Sequence, residues 1–140
     1  MSIRIDWRHD RRRIILPVLV LRPTPSTDFT PYEARALLDT GATTSGITPR
    51  VARALDLLPR GKRPLGSARG EEQAERYLFR IGLMSDCAPG DPPTFPFLFD
   101  DVVGFELRDN FHLDMLLGMD VLNQCDFSMN RSGVCRLIAG

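Results

Sequence analysis

The sequence predicts an all-β domain of short strands with one or two short helices. Its apolar runs, such as 14–21 and 33–38, are brief and bounded by Pro, Ser, Thr and Gly, as strands are. Helical spacing holds only over segments of a turn or two. A third observation concerns size: 140 residues with 43% hydrophobic content build one core without metal or disulfide staples. The chain, 1–140, is therefore read as a single domain.

The runs 14–21 and 33–38 are expected to be neighbouring antiparallel strands, joined by the loop Pro23-Thr24-Pro25-Ser26-Thr27-Asp28. Thr48 can then cap a short helix with Pro49 at its first position. In that helix Val51, Ala52 and Leu55 recur at helical spacing before Pro59 ends it. Residues 62–83 are expected to form a long hairpin with a polar tip at Arg69-Gly70-Glu71, residues 76–83 returning as an alternating strand. Four of the eleven prolines fall within 87–96, so this stretch is read as an exposed loop between strands whose flank Phe95, Phe97, Leu98 and Phe99 docks on the core. A strand over 102–107 follows. Next come the apolar run Met115-Leu116-Leu117 ending at Gly118, a short helix over 119–124, the turn Asn130-Arg131-Ser132-Gly133 and a terminal strand over 134–138.

Charge excludes some partners. With 18 basic and 18 acidic residues the formal charge is zero, which gives no global attraction to nucleic acid or an anionic membrane. Arg11-Arg12-Arg13 is either a solvated lead-in to the next strand, the preferred reading, or a contact for an acidic partner. A secretion signal is disfavoured because Asp6 and Asp10 lie in the leading segment, Pro17 interrupts the apolar run and Arg22-Pro23 follows it. The run is also far short of the roughly 20 residues that span a bilayer as a helix. Cys87, Cys125 and Cys135 lack metal-ligand spacing and are read as reduced thiols of a cytoplasmic protein, with a Cys125–Cys135 pair as the alternative if their strands adjoin. His9 and His112 are too isolated for a metal site, and no cofactor is expected. Trp7, Met115 and Met119 are read as packing groups.

The segment Ala36-Leu37-Leu38-Asp39-Thr40-Gly41-Ala42-Thr43 delivers one aspartate from an apolar strand into a tight turn, the only Asp-Thr-Gly triplet in the chain. Alone, Asp39 could simply cap that turn. Some eighty residues later, Met115-Leu116-Leu117-Gly118-Met119-Asp120-Val121-Leu122 repeats the pattern of an apolar run, a glycine and a short helix. With the glycine-bearing hairpin between them, these motifs are similar to those of retropepsin-like aspartic proteases, the single-domain relatives of retroviral proteases. The likeness covers about 14–138, with 87–101 as its least typical part, read as an inserted loop.

This resemblance implies a closed or partly closed β-barrel with a flap hairpin, and an aspartic endopeptidase acting on a peptide or protein substrate. The alternative is a silent peptide-binding or dimerisation module. Asp39 would be the catalytic acid, facing a second Asp39 across the two-fold axis of a homodimer, because one chain holds one triplet. Two such carboxylates share a proton, so one acts as base on a water while the other polarises the peptide carbonyl. Thr40 would hydrogen-bond across the axis and Gly41 would let backbone approach substrate. Ala42, Thr43 and Gly118 would line the site, and Ser67, Ala68, Arg69 and Gly70 would form the flap tip, with Gly66 as hinge. Asp120 is read as a helix-start residue. A Ser or Thr in place of Ala42 could donate a hydroxyl to the carboxylate; alanine cannot, which implies a pH optimum less acidic than that of digestive aspartic proteases.

Overall fold

The computed structural model describes residues 2–67, 70–84 and 96–140. In chain order the first elements are β1 (Ile3–Arg8), β2 (Ile15–Leu21), β3 (Tyr32–Leu38), β4 (Gly46–Ile47), α1 (Pro49–Ala54), β5 (Arg63–Ser67) and β6 (Gly70–Ala74). They are followed by β7 (Arg76–Leu83), β8 (Phe97–Glu106), β9 (Met115–Leu117), α2 (Met119–Leu122), β10 (Cys125–Met129) and β11 (Val134–Ala139). No helix among the described residues is long and apolar enough to cross a membrane.

Alternation shapes β2 and β3: Leu16, Val18 and Val20 face inward opposite Ala34 and Ala36, while Pro17, Glu33 and Arg35 face out. Pro17 is tolerated because β7 pairs only with residues from Leu19 onward, so this end of β2 has an open side. The barrel closes in the order β2-β3-β9-β4-β8-β7, confirming the expected all-β barrel. Its core includes Val20, Ile47, Phe79, Ile81, Met115 and Leu117, all fully buried.

Several elements differ from the sequence reading. The hairpin partner of β5 is β6, with Ser67 opposite Gly70, whereas β7 leaves the hairpin and pairs with β2 and β8 inside the barrel. From Phe79 to Leu83 this strand is buried at every position, since both of its faces are covered, so it does not alternate. Residues 97–101, read as the end of an inserted loop, belong to β8; Asp100 and Asp101 together oppose Arg80 in a bulge, with Asp101 at φ 54°. Residues 87–95, with Cys87 and Phe95, lie outside the described part. Thr48 does precede α1, with Pro49 first, but its hydroxyl makes no cap bond. Met115 is fully buried, as a packing group should be, whereas Met119 is exposed.

The residues before 14, to which the sequence reading assigned no element, form β1 and join a separate sheet in the order β1-β11-β10. β11 is therefore paired on both edges by its own chain. Asp6 of β1 binds Arg136 of β11 at 2.7 Å, and this guanidinium, with that of Arg4, holds the Asp6 carboxyl below the usual carboxylate range. Cys125 and Cys135 stand on adjacent strands but face Ala139 and Met129, and both are free thiols. Burial pushes the Cys125 thiol up to about 11. Arg11 to Arg13 form an exposed loop in which the Arg12 and Arg13 N–H groups bind Asp10, as expected of a solvated lead-in.

Arg80 is the one charged side chain that is buried among the described residues, 2% exposed. Its guanidinium donates to the carbonyls of Arg22 (2.6 Å), Ser26 (3.1 Å) and Asp28 (2.6 Å), organising the loop between β2 and β3. Replacing Arg80 by Met would leave these acceptors without donors. Each buried orphan costs about 1–3 kcal/mol, so Arg80→Met is expected to destabilise the fold by roughly 3 kcal/mol. Urea denaturation measures this directly; a loss under about 0.5 kcal/mol would mean that water replaces the guanidinium.

Candidate active site

Two strand ends build the site. β3 and β9 run parallel, with Leu38 beside Leu117, so the residues that follow them, Asp39 and Gly118, emerge side by side. The Asp39 N–H donates to the Leu117 carbonyl at 3.0 Å, tying the two ends together. The chain then turns tightly: the Ala42 N–H donates to the Asp39 carbonyl at 3.2 Å, and the Gly41 N–H donates to Asp39 Oδ1 at 2.9 Å. A Cβ at Gly41 would lie 3.2 Å from the same oxygen, so glycine keeps the carboxylate uncrowded. Asp39 is half-buried, and Thr40 and Gly41 are exposed at the surface.

The loop after the turn is bolted to α2. Met119 N–H donates to the Ala42 carbonyl at 2.8 Å and Asp120 N–H to the Thr43 carbonyl at 3.1 Å, so the loop uses two of the donors that a helix start leaves free. Gly118 lies so close to this loop that a Cβ would stand 2.7 Å from the Thr44 carbonyl carbon. Ser45, fully buried, locks the arrangement: its hydroxyl donates to Asp120 Oδ1 at 2.7 Å and accepts from the Gly118 N–H at 3.0 Å. The Ser45 N–H meets Asp120 Oδ2 at 3.0 Å, and the Val121 N–H meets Oδ1 at 3.0 Å. The Asp120 carboxylate thus holds the loop, consistent with its helix-start reading.

A second anchor lies one strand length away. Asp114 accepts from the Arg35 N–H at 2.8 Å and from Arg50 Nε at 3.3 Å, and Arg50 also binds the Leu113 carbonyl. This joins β3, α1 and the start of β9, which sets the parallel pairing that carries Asp39. Sequence reasoning missed both Ser45 and Asp114 as positioning residues. The only local signals were the hydroxyl run Thr43-Thr44-Ser45 and the acid directly before Met115, and neither reveals its distant partner.

Of the residues singled out in the sequence, Asp39, Thr40, Gly41, Ala42, Thr43 and Gly118 thus come together on two adjoining segments. Ser67 and Gly70 are elsewhere, at the end of the β5–β6 hairpin; Gly70 has φ +110°, a left-handed conformation suited to a glycine tip. Ala68 and Arg69 lie outside the described residues. Gly66 is an ordinary strand residue opposite Glu71. Glu72 on the return strand is bound by Arg108 at 2.9 Å, linking the hairpin to the end of β8. A cavity of about 740 Å³ opens at the hairpin base among Leu65, Ala74, Tyr77, Leu107 and Arg108, and Asp39 does not line it. Among the described residues no cluster of His, Cys, Asp and Glu could hold a metal ion.

A family model described as aspartyl protease matches residues 30–121, a span that includes both Asp39 and Gly118. The crystal structure of a retropepsin-like aspartic protease from Rickettsia conorii is similar in fold, with a TM-score of 0.67 at 17% identity, covering 99% of this chain and 91% of that one. The EIAV protease complexed with the inhibitor HBY-793 aligns with a TM-score of 0.49 at 20% identity, over 84% of this chain and 91% of that one. A search of curated proteins gave no match.

Proposed function

Because the chain belongs to the aspartyl protease family, we propose that it is an endopeptidase that cleaves peptide bonds as a homodimer, with a water held between two Asp39 carboxylates, one from each copy. The observation that supports this most is the setting of Asp39. It leaves the paired ends of β3 and β9 half-buried, its Oδ1 met by the N–H of its own turn. Asp120, the acid of the second motif, is committed to Ser45 and Val121. A second copy is therefore the natural source of the other carboxylate.

In this reading the two carboxylates share one proton. The ionised one takes a proton from the water as its oxygen attacks the peptide carbon, while the protonated one donates to the carbonyl oxygen. Collapse of the resulting diol breaks the C–N bond and returns a proton to the leaving amine. The Thr40 hydroxyl, exposed beside Asp39, bonds across the axis, and Gly41, Ala42, Thr43 and Gly118 face the peptide. The β5–β6 hairpin, with Ser67 and Gly70 at its end and Ala68 and Arg69 between them, closes as a flap. The free thiols Cys125 and Cys135 support a cytoplasmic location.

The test is the dependence of cleavage on enzyme concentration, measured on a diverse peptide library. Below the dimer constant the rate is expected to rise as the square of concentration; a strictly linear rise from nanomolar upward would overturn the two-copy site. Its pH profile is expected to peak above about pH 3, since Ala42 offers the carboxylate no hydroxyl; a peak below that would contradict this role of Ala42. A second reading, a silent peptide-binding or dimerisation module of the same fold, is favoured by one observation: the cavity under the hairpin is not lined by Asp39. Peptide binding without cleavage at any concentration or pH would establish it.

A further inference from the structure

We propose that the loop between β1 and β2, with the β10–β11 turn beside it, is a docking site for an acidic peptide segment, which on the protease reading belongs to the substrate. Docking does not depend on that reading; the assignment to substrate does. A cavity of about 520 Å³ opens between the two loops. Arg11, Arg12, Arg13 and Arg131 line it, together with the apolar side chains of Ile14 and Met129. A second cavity of about 290 Å³ shares His9 and Arg13 with the first and adds Arg8 and Arg35. Six arginines thus meet one acid, Asp10, in a chain whose formal charge is zero.

The two loops are fixed to each other. The His9 N–H donates to the Gly133 carbonyl at 3.1 Å and Arg8 Nη1 to the Ser132 carbonyl at 3.0 Å, both in the β10–β11 turn. Within the first loop, Asp10 Oδ1 accepts from the Arg12 N–H at 2.8 Å and the Arg13 N–H at 2.7 Å, and His9 Nδ1 accepts from the Arg11 N–H at 2.9 Å. The one acid is therefore committed to its own turn, with Arg13 Nη2 at 3.7 Å as its only guanidinium. Among the described residues Arg11, Arg12, Arg35 and Arg131 have no carboxylate partner. Arg11 also stands at φ 71°, in the left-handed region that glycine adopts without strain. A guanidinium kept on such a backbone, exposed and unpaired, points to a ligand outside the chain.

Guanidinium groups bind carboxylates in bidentate pairs, so an open set of them suits several carboxylates at once. The apolar lining adds a place for one side chain among them, with Ile14 half-buried and Met129 55% exposed. An acidic segment with a single large apolar residue matches both. Nucleic acid fits less well: among the described residues no Phe, Tyr or Trp lines either cavity, so the stacking that holds single strands is lacking. Position links the site to Asp39. The Ile14 carbonyl accepts the Leu38 N–H at 2.9 Å, one residue before Asp39, so a segment docked here lies next to the strand end that carries the acid.

Fluorescence anisotropy of a labelled Glu-Glu-Leu-Glu-Glu peptide tests the docking, with the full chain carrying Asp39→Asn so that the probe stays whole. Binding is expected to weaken about 10-fold when glutamine replaces every glutamate, and about 10-fold in the double variant Arg12→Gln with Arg131→Gln, as the loss of two exposed charge pairs allows. Both side chains are exposed and unpaired, so the melting curve stays unchanged. Serine in place of the probe's leucine is expected to weaken binding several-fold, whereas Arg53→Gln, outside both cavities, leaves it unaltered. The docking site is overturned if the glutamine or serine probe binds as well, or if the double variant binds as its parent does. It is equally overturned if a single-stranded oligonucleotide of equal charge binds more tightly. Cleavage by the wild type judges the assignment to substrate: an acidic stretch beside the cut bond is expected to lower KM about 10-fold with kcat unchanged, and only with Arg12 and Arg131 in place. A KM indifferent to that stretch overturns the assignment, while docking without any cleavage defeats the protease reading and leaves the docking site standing.

Discussion

Asp39→Asn is expected to lower kcat/KM by about 10⁴-fold, the upper range for removing a positioned acid or base, while dimerisation and peptide binding persist. The substitution nearly preserves volume, and the amide oxygen can still accept the Gly41 N–H that holds the carboxylate at 2.9 Å. What disappears is the ionisable pair: an amide neither takes a proton from water nor shares one with its counterpart. On the proposed two-copy site, the variant should also poison the wild type. At a fixed wild-type concentration, added Asp39→Asn chain is expected to reduce cleavage as mixed dimers form, each with a single carboxylate. Titration in a continuous peptide assay checks this. Unchanged cleavage in the variant would remove Asp39 from the chemistry altogether.

The second large effect is expected at a residue that touches no substrate proton. In Gly118→Ala the new methyl would lie 2.7 Å from the Thr44 carbonyl carbon, 2.8 Å from the Thr44 oxygen and 2.9 Å from the Ala42 oxygen. All three atoms are backbone and cannot rotate aside. The Gly118 φ of −98° suits alanine, so the cost is steric rather than conformational. The 42–44 segment must move off α2, loosening the bonds from Met119 and Asp120 that fix the Asp39 turn. Overpacking of this kind costs about 1–3 kcal/mol, which corresponds to a Tm loss of roughly 5–10 °C. A displacement of about 1 Å at a reacting group can cost about 10²-fold in rate. Thermal melting and kcat together test this; a variant with a normal Tm and a normal kcat would show that the loop seats the methyl without disturbing Asp39.

Much of this was legible in the sequence because it is local. The apolar run 14–21 and its neighbour 33–38 announce β2 and β3 by composition and punctuation alone, and Pro49 marks the start of α1. Asp39 and Gly118 are recognisable because each sits at the abrupt end of an apolar run, where a strand must stop. The hairpin itself was legible, although its tip, read at Arg69-Gly70-Glu71, is already strand from Gly70 on, with Gly70 opposite Ser67. What failed was the fate of the chain after that tip: residues 76–83 carry a good strand pattern, but nothing in that pattern says whether the partner is β5 or the barrel strands β2 and β8.

By itself, then, the sequence determined several of the strands, β2, β3, β9 and β11 among them though not β1, β4 or β10, and the place of its single Asp-Thr-Gly acid at the end of one of them. These follow from hydrophobic period, turn residues and a count of triplets. Only the tertiary structure decided that β3 and β9 lie parallel so that Asp39 and Gly118 emerge together, and that Ser45 and Asp120, 75 positions apart, clamp the loop between them. It also decided that Arg80 serves the carbonyls of a loop more than 50 residues earlier, and that β11 is already paired on both edges. The reason is physical: side-chain period records how deeply a residue is buried, but a hydrogen-bond partner far along the chain leaves no trace in the residues around it.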